Sequence, residues 1–167
     1  IDSGETFGFQ STVFRLAGDP QQSDDNDDAH FGRSHLYMSH LALSDISQQR
    51  YIHTERIVRN GWQANVAEHS LQIAAGPITA QWNEPAQVME MQLNYPDDTR
   101  LTLTMMPRKP MLIFGERGLS RKGADPAAVS WYWTYSRLDV TGSLTRGDTT
   151  LLDRSICLTR RIVRPAV

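Results

Sequence analysis

The sequence predicts an all-β fold, an antiparallel meander closed into a barrel or flattened into a sandwich. Three observations carry that prediction. Apolar and polar residues alternate with period two over segments of about five to ten residues, most cleanly in R-L-T-L-T-M-M from 100 to 106. Chain-turning residues such as Asn60-Gly61, Gly76-Pro77 and Glu84-Pro85 divide those segments at short intervals. No window holds apolar residues at helical spacing for more than about two turns, so no long helix is expected. Short connections favour antiparallel neighbours, and closing the meander protects its edges.

Taken in order, Phe7 to Leu16 reads as the first strand, with Phe7, Phe9 and Val13 on one face and Gln10, Thr12 and Phe14 on the other. Residues 18–28 hold nothing apolar beyond Pro20 and read as a long surface loop. Residues 36–43 and 50–58 form two strands joined as a hairpin across S-D-I-S-Q-Q. Shorter strands follow at 70–74, 78–82 and 88–95. Pro96-Asp97-Asp98-Thr99 turns the chain into 100–106, where Leu101, Leu103 and Met105 oppose Thr102, Thr104 and Met106. Pro107 and Pro110 end that strand, and 112–114 is a short apolar run. Residues 114–144 then hold two of the four tryptophans and two of the five tyrosines, behind a Gly-rich basic loop. A loop that presents chemistry from a rigid strand is where a binding mouth is expected.

With 167 residues the chain is expected to form a single domain, 1–167, large enough to bury a core. Hydrophobic residues at 40% and charged residues at 22% describe a globular protein, and the net charge of −2 offers no basic excess for nucleic acid. Cys157 stands alone, so no internal disulfide can form. No run of about 18 apolar residues exists to cross a membrane as a helix. A small molecule therefore suits this surface better than nucleic acid does, with contact at a membrane surface still open.

The acidic run at Asp24–Asp28 lacks the glycine and closing glutamate of a helix-loop-helix calcium site and reads as a solvated loop. His30, His35, His40, His53 and His69 follow no zinc spacing, so no metal site is expected. His40 shares a strand face with Met38 and Ala42, where an imidazole on an apolar barrel face could exchange a proton with a ligand. The loop at 115–123 is not a phosphate-binding P-loop, and no G-x-S-x-G elbow supports serine hydrolysis. Trp131, Trp133 and Tyr135 fall on one face of the aromatic strand, and Tyr132, Thr134 and Ser136 on the other. In a barrel, a face that is almost wholly aromatic can wall an apolar ligand.

Several segments together resemble one family: G-E-T-F-G-F-Q-S-T-V-F-R from Gly4, H-L-A-L-S-D from His40, Glu55-Arg56, and above all G-L-S-R-K-G from Gly118 with S-W-Y-W-T-Y-S-R-L-D-V-T-G-S-L from Ser130. The family is the lipocalin-like one of hydroxyneurosporene synthase, or carotenoid 1,2-hydratase, and its secreted relatives. The resemblance implies a lipocalin-like antiparallel β-barrel or flattened β-sandwich, with this chain matching the first of two such domains and beginning just after the family's first strand. It implies binding of an elongated lipid or isoprenoid by Trp131, Trp133 and Tyr135, with Gln10, Arg56 and Arg137 from the shared motifs. The alternative it implies is a hydratase adding water to an isoprenoid double bond without a cofactor. An acid must then protonate the alkene beside a walled apolar pocket. Asp153, in Leu152-Asp153-Arg154, stands where the family places such an acid, with His40 and Tyr132 as helpers. A periplasmic or envelope address is the family's expectation.

Overall fold

The pattern of the whole fold is visible in residues 36–45, where every second side chain is buried. Tyr37, Ser39, Leu41, Leu43 and Asp45 point inward, and Leu36, Met38, His40, Ala42 and Ser44 are half-exposed. The computed structural model describes residues 5–16, 36–59, 61, 63–67, 69–124 and 129–165, with side chains described as far as Thr150. Among the described residues there is no helix.

A three-stranded sheet is built from β1 (Phe7–Leu16), β2 (Leu36–Asp45) and β3 (Arg50–Arg59), paired in that order. The larger sheet begins as a meander of β4 (Ala64–Val66), β5 (Gln72–Ala75), β6 (Ile78–Asn83), β7 (Val88–Tyr95) and β8 (Thr99–Pro107). It continues through β9 (Leu112–Ile113), β10 (Leu119–Arg121), β11 (Val129–Arg146) and β12 (Thr149–Pro165). Every pairing is antiparallel. The eighteen-residue β11 is the spine: β8, β9 and β10 pair in turn with its residues 138–146, 133–134 and 129–131, while β12 runs along its other edge.

The small sheet lies over the curled larger one, and the core fills the space between them. Leu41, Leu43 and Ile52 meet Ile78, Met91, Leu93, Leu103, Met105, Leu138 and Val140 there. Each such side chain contributes about 1.5–3 kcal/mol by leaving water. Two polar ties also cross between the sheets. The Tyr95 hydroxyl donates to the Ala42 carbonyl at 3.3 Å, and burial holds that phenol well above its ordinary pKa. Arg146, at the end of β11, sets two nitrogens 3.3 Å from the buried carboxylate of Asp45, at the end of β2.

β1, β7 and β8 occupy the segments that the period-two pattern marks. β4 and β10, at three residues each, are too short to show a period, and β12 is unexpected because an extra residue between Asp153 and Ile156 breaks its alternation. His40 differs from its expected setting. It lies on the outer face of the small sheet, because Leu41 and Leu43 on the alternate positions claim the core. The surface loop read at 18–28, Asp24–Asp28, His30 and His35 lie outside the described residues.

Candidate aromatic ligand wall

Along the outer half of β11, Trp131, Trp133 and Tyr135 share one face, and Ser130, Tyr132 and Thr134 are buried on the other. A register shift between Tyr135 and Leu138 inserts an extra residue. The strand therefore changes phase, and Leu138 and Val140 carry the Tyr135 side directly into the core. The wall does not stop at β11. Trp82 of β6 stacks on Tyr135 with ring centres 6.1 Å apart and planes 7° from parallel, and Trp133 meets Tyr135 edge-on at 6.1 Å and 80°. Trp82 and Tyr135 pack on the core, Trp133 is half-buried, and Trp131 is 47% exposed. An aromatic surface thus runs from the core to solvent.

The loop before β11 fits this wall closely. Glu116 and Leu119 exchange backbone hydrogen bonds of 3.1 and 3.0 Å around Arg117 and Gly118, both at positive φ, as a type I′ turn requires. Gly118 has φ near 99°, and a Cβ there would come 3.1 Å from the Trp131 ring and 3.4 Å from Ile113. The missing side chain lets the turn lie flat under the indole. On the opposite face Phe114 stacks on Tyr132 at 4.4 Å, and the Lys122 ammonium sits 5.4 Å from the same ring.

Burial raises the Tyr135 phenol above its ordinary pKa, and the charge of Glu84, close by after β6, raises it further. Glu84→Gln is expected to lower the Tyr135 pKa without restoring the ordinary value, because burial is the larger cause. Phenolate absorbance in an alkaline titration, with Tyr135→Phe identifying the signal, checks this; an unchanged titration would remove Glu84 from the wall.

The wall gathers three of the residues named from sequence, Trp131, Trp133 and Tyr135. Arg137 follows two positions on, exposed at the bulge, with its carbonyl accepting the Arg108 N–H at 3.0 Å. Tyr132 is on the same strand but faces away, under Phe114. Asp153 pairs with Gly142, ten residues along β11 from Tyr132, which places the two roughly 30 Å apart at about 3.3 Å per residue. Gln10 and His40 lie on the outer face of the small sheet, and Arg56 is exposed on β3. Next to His40, the Glu55 carboxylate oxygen is 3.8 Å from His40 Nδ1 and 3.2 Å from His53 Nε2. The proposed acid and its two helpers are thus not brought together. Sequence reasoning missed Trp82 and Glu84, whose nearness to β11 arises only from the curl of the sheet.

A second concavity, of about 450 Å³, crosses the outer face of β4 to β8. Gln72, Gln81, Gln92, Thr79, Thr102 and Glu90 line it. Gln81 and Asn83 donate to the two Glu90 oxygens at 2.6 and 3.0 Å and hold that carboxyl below its usual pKa. Ile73, Ala80, Met91 and Leu103 also line the concavity, so the surface is mixed rather than a continuous aromatic wall. Among the described residues no three His, Cys, Asp or Glu side chains are grouped to hold a metal ion.

A curled antiparallel sheet with an aromatic wall leading out of its core defines a lipocalin-like β protein, the class that the shared motifs imply. The AttH-like family profile matches residues 2–152, and the chain belongs to that family. The fold is similar to the crystal structure of a Nitrosomonas europaea protein assigned as an AttH, with a TM-score of 0.77 and 24% sequence identity. That likeness covers 99% of this chain and 48% of the other, so this chain spans about half the length of that protein. Among curated proteins no relative matches the sequence.

Proposed function

We propose that the protein binds an elongated apolar molecule, a lipid or isoprenoid, along the wall of Trp131, Trp133, Tyr135 and Trp82. The observation that carries this reading is the continuity of that surface from packed core to exposed rim. A long apolar chain laid along it leaves water over its length, and aromatic side chains lose little conformational freedom in holding it. Parinaric acid, a polyene fatty acid that absorbs tryptophan emission, is expected to quench the protein saturably. Trp133→Ala should weaken that binding about tenfold, equivalent to about 1.4 kcal/mol. Absence of saturable quenching, or a Trp133→Ala protein that binds as well as wild type, would refute the reading.

A second reading, hydration of an isoprenoid double bond, is favoured by the position of Glu84. Its carboxyl acts on Tyr135 and, when protonated, offers an acid beside the wall. Proton transfer from Glu84 to a terminal alkene carbon would leave a tertiary cation facing aromatic rings. Water then adds to that cation and loses a proton, giving a tertiary alcohol and returning the acid. Conversion of an acyclic polyene to its alcohol, abolished by Glu84→Gln and kept by Asp153→Asn, is the expected result; no product from wild type would leave binding alone.

A further inference from the structure

Residues 108–122 carry five cations, Arg108, Lys109, Arg117, Arg121 and Lys122, against one carboxylate, Glu116, in a chain of net charge −2. The fold collects them at one end, because β9 and β10 both pair with the outer half of β11. Arg108 is neutralised by Asp139 at 2.5 Å, and Lys122 leans over Tyr132. Lys109, Arg117 and Arg121 face no carboxylate among the described residues.

Among these cations the same end exposes Leu112 (49%) and Ile113 (62%), with Trp131 (47%) beside them. Ile113 and Trp131 meet over Gly118, so they form one ridge. Leu112, level with Thr134, and Phe114, stacked on Tyr132, belong to the other face of the same edge.

An acidic protein or a nucleic acid would use the cations but leave Ile113 and Trp131 in water. An anionic bilayer satisfies both halves, because apolar side chains enter the acyl boundary while Lys and Arg meet the headgroups. We propose that this rim docks on an anionic lipid surface, with Ile113 and Trp131 entering the interface and Lys109, Arg117 and Arg121 resting on the headgroups. The proposal stands on the rim alone and does not need the ligand reading. If both hold, the exposed end of the aromatic wall opens at the membrane.

The test is sedimentation of the full chain with vesicles of phosphatidylcholine alone and of phosphatidylcholine mixed with phosphatidylglycerol. The wild type should pellet with the mixed vesicles, at least about tenfold more tightly than with the neutral ones, and less tightly as salt rises. Ile113→Asp should lose vesicle binding, and so should Arg117→Glu combined with Arg121→Glu. All three positions are exposed, so unchanged circular dichroism is expected to confirm folding. Equal binding to both vesicle types, no binding to either, or variants that pellet like wild type would overturn the proposal. Retention on a soluble polyanion without vesicle binding would also overturn it, in favour of an acidic macromolecule. Parinaric acid binding by the Arg117→Glu, Arg121→Glu protein in the absence of vesicles should match wild type, which separates this outcome from that of the ligand reading.

Discussion

Asp45→Ala is expected to destabilise the protein by about 3 kcal/mol, at the lower end of the range for breaking a buried ion pair. Asp45 is 2% exposed, and its carboxylate accepts the Gln48 N–H at 3.0 Å as well as both Arg146 contacts. Arg146 in turn lies 6.0 Å from the Phe7 ring. One carboxylate therefore fastens the ends of β1, β2 and β11, and its removal strands a guanidinium whose Nε is already buried without a partner. The lower end applies because Arg146 is 31% exposed and water can reach part of it. Urea unfolding should show a lower midpoint with an unchanged slope. Combining Asp45→Ala with Arg146→Met should recover part of the loss, since the unpaired charge disappears with the arginine. A loss below about 0.5 kcal/mol for Asp45→Ala alone would show that the tie carries no weight.

How much the sequence discloses depends on how unequal the two faces of each strand are. β8 sets Leu101, Leu103 and Met105 against two threonines and a methionine, so its buried side is legible. β2 is harder, because Met38 and Ala42 accompany His40 on one face while Tyr37, Leu41 and Leu43 occupy the other. The larger set is buried, and the smaller joins an exposed outer row in which Phe14 pairs with Met38 and Met38 with Ile57. A histidine in that row can look like a pocket residue when only its own face is considered.

The wall was legible for a similar reason. Trp131, Trp133 and Tyr135 recur with period two, and even a bulge just beyond them leaves their shared face intact. Trp82 and Glu84 were not, since they lie about fifty residues upstream in a stretch that reads only as a strand end and a turn. Only a short motif points to Asp153, and strand register is the property that a motif does not carry. Once β12 pairs Asp153 with Gly142, distance along the strand separates it from the aromatic end.

Gly142→Ala is expected to cost about 3 kcal/mol, at the upper end of ordinary overpacking. Gly142 lies opposite Leu103 on β8 and Asp153 on β12, beside the second register shift in the β11–β12 ladder. A Cβ there would land on the Thr102 carbonyl oxygen and 3.0 Å from Leu103 Cδ2. A leucine tip can rotate away, but a backbone carbonyl within the sheet can yield only if β8 or β11 moves. Gly8→Ala is the matched control: its nearest neighbour would be Ser44 Cβ at 3.9 Å, and its cost should stay within about 0.5 kcal/mol. Because β11 also bears the aromatic wall, the displacement should reach Tyr135 and Trp133. The folded fraction of Gly142→Ala should therefore bind parinaric acid more weakly than Gly8→Ala does. Urea midpoints and quenching titrations on the two proteins test both halves, and a Gly142→Ala protein as stable as wild type would show that the close approach of β8 to β11 is not tight.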